Sequence, residues 1–213
     1  MDLKKATKIF LVIFICGLIS CKSDTKGEAS ATTKEKITDN TLETEKNYKT
    51  DTYHSSDIVS IENIDVNLLT ELITSLVNVE RKSKNLQPVT INKYLAEAAD
   101  LHNNYLTSIG KLTHEGASAD TRDLRSRVNL TGGQFTLMAE NIAMKSFHVL
   151  QEGKGNILTD NTYQDVALQF FELWKNSPGH YQNLIMKDLR FVGTAVAWNS
   201  SQNALYATQV FGG

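Results

Sequence analysis

Residues 22–57 are Thr, Lys, Glu, Asp and Ser with few apolar side chains, and this stretch restricts where the chain can build a core. Such a segment cannot bury enough surface to offset the entropy lost on ordering, so it is expected to be a flexible tether. The chain has 213 residues, which leaves one domain of ordinary size to be assembled from the residues C-terminal to the tether. Apolar residues make up 41% of the whole chain and are concentrated outside the tether. The formal net charge is -2, with no basic excess. A nucleic-acid partner is therefore not expected, because phosphate neutralisation needs clustered Lys and Arg. Two prolines in the whole chain argue against a Pro-rich linker or ligand.

Upstream of the tether, Lys4, Lys5 and Lys8 precede an apolar run over residues 9–20. As a helix rising about 1.5 Å per residue, that run reaches about 18 Å. The hydrocarbon core of a bilayer is about 30 Å thick, so the run reads as the apolar part of a signal peptide and not as a membrane span. The next residues, Leu18-Ile19-Ser20-Cys21, resemble the lipobox of bacterial lipoproteins, where cleavage precedes the Cys and its sulfur is acylated. The expected organisation is a signal peptide over 1–20, a lipidated Cys21 with its tether over 21–60, and a folded domain over 61–213. Cys16 leaves with the signal and Cys21 carries lipid. The mature domain then has no thiol for a disulfide or a nucleophile. One acyl chain gives only marginal membrane binding, whereas several make attachment through Cys21 effectively permanent. The expected location is the cell envelope, at the outer membrane or the cell surface.

Regular structure is predicted from Asp65, a candidate N-cap. Leu68, Leu69, Leu72, Ile73, Leu76 and Val77 come after it at helical spacing. Asn85 suits a left-handed position after that helix, and Pro88 stops it. A second helix is predicted over 93–108, with Leu95, Ala98, Ala99, Leu101, His102, Tyr105 and Leu106 as its apolar content and Gly110 at its end. A short helix over 122–128 leads to the turn Thr131-Gly132-Gly133. A strand is predicted over 142–150, a polar loop over 151–161, and a helix over 165–175 with Val166, Phe170, Leu173 and Trp174 facing inward. Ser177-Pro178-Gly179 breaks that helix. The apolar runs 191–198 and 204–211, joined by residues 199–203, predict a β-hairpin. Helices interspersed with strands and a terminal hairpin give an α+β class, with helices covering a mostly antiparallel sheet.

Several segments line up in an order that resembles bacterial domains of the cysteine-rich secretory, antigen 5 and pathogenesis-related (CAP, or SCP-like) superfamily. Leu76-Val77-Asn78-Val79-Glu80-Arg81 and Leu86-Gln87-Pro88 resemble its first helix and turn. Leu95-Ala96-Glu97-Ala98-Ala99 with His102 resembles the second, and Leu112-Thr113-His114 the His beyond it. Ala139-Glu140-Asn141-Ile142-Ala143 resembles the Glu-Asn-Ile-Ala element. Trp174 with Ser177-Pro178-Gly179-His180-Tyr181-Gln182-Asn183-Leu184 is similar to the Trp…Ser-Pro-Gly-His…Asn segment. Val192-Gly193-Thr194 and Tyr206-Ala207-Thr208-Gln209-Val210-Phe211-Gly212 resemble the closing strands. The resemblance implies a three-layer α-β-α sandwich with a mostly antiparallel central sheet and a cleft where His and Glu side chains converge.

Carried over by motif, the cleft residues are His114, Glu140 and His180. Two imidazoles and a carboxylate suit acid–base work near neutral pH. Glu140 can also orient one imidazole as a partner behind it. The same three residues are a possible ligand set for a divalent metal such as zinc, with a fourth position left for water. Their spacing carries no metal specificity of its own, and His114-Glu115-Gly116 is not a His-Glu-x-x-His helix. Where animal and plant relatives have a second Glu, three residues after the Trp, this chain has Ser177; Glu115 and Glu172 are the nearest substitutes. Asn141 and Asn183 read as polar anchors and His102 as a core histidine, while His54 and His148 have no context. The functional expectation is an envelope-anchored module that binds a small ligand, a lipid or an envelope component. The alternative is a metal-assisted hydrolase, a peptidase or an enzyme on cell-wall polymers, using the same cleft. Ser118 and Ser177 are ordinary loop serines, so a serine triad is not expected.

Overall fold

The Asp65 side chain accepts a hydrogen bond from the Leu68 amide at 3.0 Å, and this cap opens the first helix of the domain. The computed structural model describes residues 54–152 and 155–213. The signal segment, Cys21 and nearly all of the expected tether lie outside the described residues. Lys49–Gly213 forms a compact unit, and every core cluster of the described residues falls within it.

In chain order the elements are β1 (Ile58–Ser60), α1 (Val66–Ser83), β2 (Thr90–Ile91), α2 (Lys93–Ile109), α3 (Leu124–Leu130), β3 (Met138–Ser146), β4 (Val149–Glu152), β5 (Gly155–Thr162), α4 (Tyr163–Lys175), α5 (Pro178–Leu184), β6 (Phe191–Asn199) and β7 (Ala204–Gly212). The main sheet has the order β2-β6-β7-β3, antiparallel except where β2 runs parallel to β6. β7 is buried along its whole length. Its alternation sends Leu205, Ala207 and Phe211 to one face and Ala204, Tyr206 and Val210 to the other. On the first face α1 and α4 pack with Leu69, Ile73, Val77, Val166, Phe170 and Trp174 in contact with the sheet. On the second face α2 contributes Leu95, Ala98, Ala99 and Leu106. Helices on both faces of the sheet make the three-layer α-β-α sandwich. Burial of each large aliphatic or aromatic side chain contributes about 1.5–3 kcal/mol.

Two close approaches set the layers. A Cβ on Gly193 would lie 2.0 Å from the Ala96 backbone nitrogen, so α2 sits directly on β6 only because that residue has no side chain. Arg81 is fully buried at the end of α1. It donates to the carbonyls of Gln87, Leu184, Met186 and Leu189 at 2.8–3.0 Å. Burial lowers its pKa, and among the described residues no carboxylate pairs with it. Four carbonyls thus tie α1 to the end of α5 and the approach to β6.

Asn85 (φ 58°) takes the predicted left-handed conformation, as does Gly110, the cap of α2. The structure differs from expectation in several places. Residues 151–152 and 155–161 are not loop but belong to β4 and β5, which pair with each other while β5 also pairs with β1, giving a second, three-stranded sheet. One side chain there, Leu158, enters the core, and strand pairing satisfies the backbone groups of an otherwise polar sequence. Strand β1 falls inside the stretch assigned to the tether and buries Val59, so the folded domain begins upstream of residue 61. Strand β3 begins at Met138, earlier than predicted, which places Glu140 and Asn141 on a strand. Leu101 and Leu173 are on the flanks of their helices, 40% and 41% exposed, because the buried faces centre on neighbouring residues. Pro178 and Gly179 also start α5, with Pro178 in its first turn.

Replacing Gly193 with Ala is expected to force α2 off β6 and cost about 3 kcal/mol. Thermal unfolding of the Lys49–Gly213 unit measures this as a fall in Tm of about 10 °C.

Candidate functional site

Pleating of β3 points Glu140 toward α2 and Asn141 toward α5. Glu140 is therefore held under α2 and α3, with its side chain only 4% exposed. Its Oε1 accepts a hydrogen bond from Nδ1 of His114 at 2.8 Å. An ionised carboxylate only accepts, so Nδ1 carries the proton. Its Oε2 accepts from Nη2 of Arg127 at 2.6 Å. Arg127 is buried too and reaches back through Nη1 to the carbonyls of His114 (3.2 Å) and Thr121 (2.9 Å). One guanidinium thus neutralises the carboxylate and holds the loop that carries His114.

His102 lies behind this group, 3.8 Å from Oε1 of Glu140. Its Nε2 donates to the Thr113 carbonyl at 2.8 Å, and its buried Nδ1 has no partner. Burial lowers the His102 pKa, against the pull of Glu140, and favours the neutral ring. His114 behaves in the opposite way: its hydrogen bond to Glu140 raises the pKa by more than burial lowers it. For Glu140, burial pushes upward, but the His114 hydrogen bond and the Arg127 charge outweigh it and hold the pKa below the ordinary range.

His180 lies on α5, on the far side of β3. Its backbone carbonyl accepts from Nδ2 of Asn141 at 3.2 Å. Asn183 donates to Oδ1 of Asn141 at 2.8 Å and to the Glu140 carbonyl at 3.2 Å. The two asparagines are therefore anchors that fix α5 to β3. Burial lowers the His180 pKa, with a smaller contribution from the charge of His114. β3 is the edge strand of its sheet, so the two imidazoles approach around an edge from opposite faces. The concavity beside His114, about 490 Å³, is lined by Glu115, Arg122, Asp123, Met138 and Glu140 and not by His180.

The sequence-predicted trio is thus brought together in part. His114 and Glu140 form a bonded pair, while His180 contributes a separate imidazole. Each Glu140 oxygen accepts a hydrogen bond, one of them from the Arg127 cation, so the carboxylate is turned to its protein partners. Among the described residues no group of three His, Cys, Asp or Glu is placed to hold a metal. Glu140 instead orients His114 from behind. Ser177 lines a different depression with Lys145, Gln169 and half-buried Glu172, and Glu115 is exposed at the His114 concavity, so neither is a second buried carboxylate. Sequence reasoning missed Arg127; its one signal was a cation on the apolar face of a short helix, beside Val128.

The model of the CAP (cysteine-rich secretory protein) family matches residues 74–211, and the chain belongs to that family. No curated protein matches it. Among solved structures it is similar to an extracellular SCP-domain protein of Bacillus anthracis, with 22% identity and a TM-score of 0.53 over 69% of this chain. The chain spans 41% of that protein's length. It is also similar to an outer surface protein of Borrelia burgdorferi, at 20% identity and a TM-score of 0.50, covering 67% of this chain and 90% of that one. A weaker likeness reaches NaASP2, solved with Zn²⁺, at 12% identity over 68% of this chain and 77% of that one (TM-score 0.39). It is too slight to bear on metal binding here. Among the described residues no helix is long and apolar enough to cross a membrane.

The charges of the site set two expected outcomes. Replacing Arg127 with Met leaves Glu140 buried without a counter-ion, and a loss of about 3–5 kcal/mol is expected in denaturant unfolding. Adding Glu140→Gln to that variant should restore part of it. For His114 the folded pKa is raised, so its contribution is complete below about pH 6.5 and fades as pH climbs through the folded value. Glu140 is depressed, so its contribution is complete above about pH 4.3 and lost as pH falls through the folded value. The stability gap between wild type and His114→Gln should therefore be widest between about pH 4.3 and 6.5 and shrink on either side.

Proposed function

We infer that the protein is an exported, membrane-tethered CAP module that captures an envelope ligand at the His114 cleft and does not hydrolyse it. The observation that carries this reading is the state of Glu140. A general base needs access to the proton it takes and a pKa near the working pH, and the Glu140 side chain is only 4% exposed. Glu140 has both oxygens engaged and an acidity held low by Arg127 and His114. His102 is sealed from solvent. What the cleft offers is the outer edge of His114, whose side chain is 59% exposed.

An imidazole made more basic by a carboxylate is a charged donor in mildly acidic surroundings. It suits a carboxylate or phosphate on a small ligand, a lipid or an envelope polymer. The competing reading, a peptidase or cell-wall hydrolase in the same cleft, would have Nε2 of His114 or a bound metal activate water, with Glu140 as the group that orients the ring from behind.

The Lys49–Gly213 unit, mixed with insoluble peptidoglycan as the probe, is expected to co-sediment more strongly as pH falls from about 8 to about 5.5. His114→Gln should abolish that pH dependence, with no soluble fragments released. Fragment release that disappears in Glu140→Gln would overturn the binding reading, as would retention indifferent to pH and to His114→Gln. The tether is tested separately. In a bacterium that processes lipoproteins, Cys21→Ser should move the full chain from the membrane fraction to the soluble one. Unchanged membrane retention would refute an anchor at Cys21.

A further inference from the structure

A concavity larger than the His114 cleft is present elsewhere on the domain. It lies between α1 and α2, has a volume of about 790 Å³ and shares no lining residue with the concavity beside His114. Ligand pockets commonly fall between about 300 and 1,000 Å³. Its floor is the outer edge of β6, reached at Thr194 and Ala195 because β2 pairs only with Phe191 and Val192.

Val66 of α1, Ile91 of β2, Leu101 of α2 and Leu130 of α3 line it, each between 37% and 56% exposed. Single exposed apolar residues are ordinary, but four from separate elements on one concavity make a patch. The polar groups there carry one sign. Glu71, Glu97 and Asp100 are at the groove, and no Lys or Arg lines it. Among the described residues none of the three carboxylates makes an ion pair. The cation nearest in sequence, Lys93, is placed over the Tyr94 ring, 4.8 Å from its centroid.

We propose that this groove is a second binding site, and that it takes a small organic cation with an apolar body. Hydrocarbon would lie on the four apolar side chains while the ammonium group stays among the carboxylates. Three unpaired negative charges repel a fatty acid or an anionic lipid from the same surface. A peptide adding a strand to β6 fits less well, because the Thr194 carbonyl already accepts a hydrogen bond from Oγ1 of Thr70 at 3.3 Å. This site is independent of the reading given to His114.

The test titrates the Lys49–Gly213 unit with octyltrimethylammonium and, in parallel, with octanoate, which presents a comparable hydrocarbon tail with the opposite charge. Calorimetry reads the affinity and amide NMR shifts locate the site. The cation is expected to bind one-to-one, with shifts at Ala96, Leu101 and Ala195, and to weaken with added salt. Glu97→Gln and Asp100→Asn, exposed and nearly isosteric, should each weaken it about two- to fivefold while Tm holds. The proposal is overturned if octanoate binds as well as the cation, or if both substitutions leave the affinity unchanged. Shifts centred on His114 would overturn it too. So would a Lys-Val alternating peptide that binds with shifts at Val196 and Trp198 while the ammonium probe does not.

Discussion

A buried carboxylate cannot remain ionised without a partner, and the pairing of Glu140 with Arg127 meets that demand for this whole end of the domain. Arg127 is itself almost wholly enclosed, and among the described residues its ion pair is with Glu140. Each charge therefore requires the other. The pairing fixes more than two side chains. Through Arg127 it fixes the carbonyls of His114 and Thr121, and so the course of the chain between α2 and α3. Through Oε1 it fixes the tautomer and tilt of the His114 ring. Loop, short helix and edge strand are held by one ion pair with three added hydrogen bonds.

The position of β3 at the edge of the sheet decides what chemistry this pairing can support. Successive residues of a strand face opposite sides, so Glu140 and Asn141 serve two different layers. Glu140 serves α2 and α3, whereas Asn141 receives α5 and with it His180. In a central strand the two layers would be sealed from each other. At an edge, His114 and His180 are near enough for the charge of one to act on the pKa of the other. The result is an oriented imidazole with a basic character and a second imidazole of depressed basicity, instead of a closed ligand set.

The two concavities differ in the same electrostatic sense. The His114 cleft has Glu140 buried and neutralised by Arg127, with the His114 ring at its mouth beside Glu115, Arg122 and Asp123. The α1–α2 groove has its negative charges unpaired at the rim and its apolar surface open. The proposed ligands differ accordingly, anionic for the one and cationic for the other, in a chain of formal net charge -2.

Local signals in the sequence determined much of the fold. The helical spacing of Leu69, Ile73 and Val77, the cap at Asp65, the left-handed stops at Asn85 and Gly110 and the terminal hairpin act over a few residues, where side-chain period and backbone preference suffice. The family motifs likewise marked His114 and Glu140, and the two form a bonded pair. Other features depend on partners far along the chain. Strands β4 and β5 look polar because, among their described residues, only Leu158 is buried, and their pairing with β1 has no local signature. Arg127 meets Glu140 across 13 residues and two elements, and the α1–α2 groove joins five elements that no short window contains. The tertiary structure alone decided these, because a carboxylate's partner, a strand's neighbour and the walls of a groove are set by which surfaces the packed layers bring together.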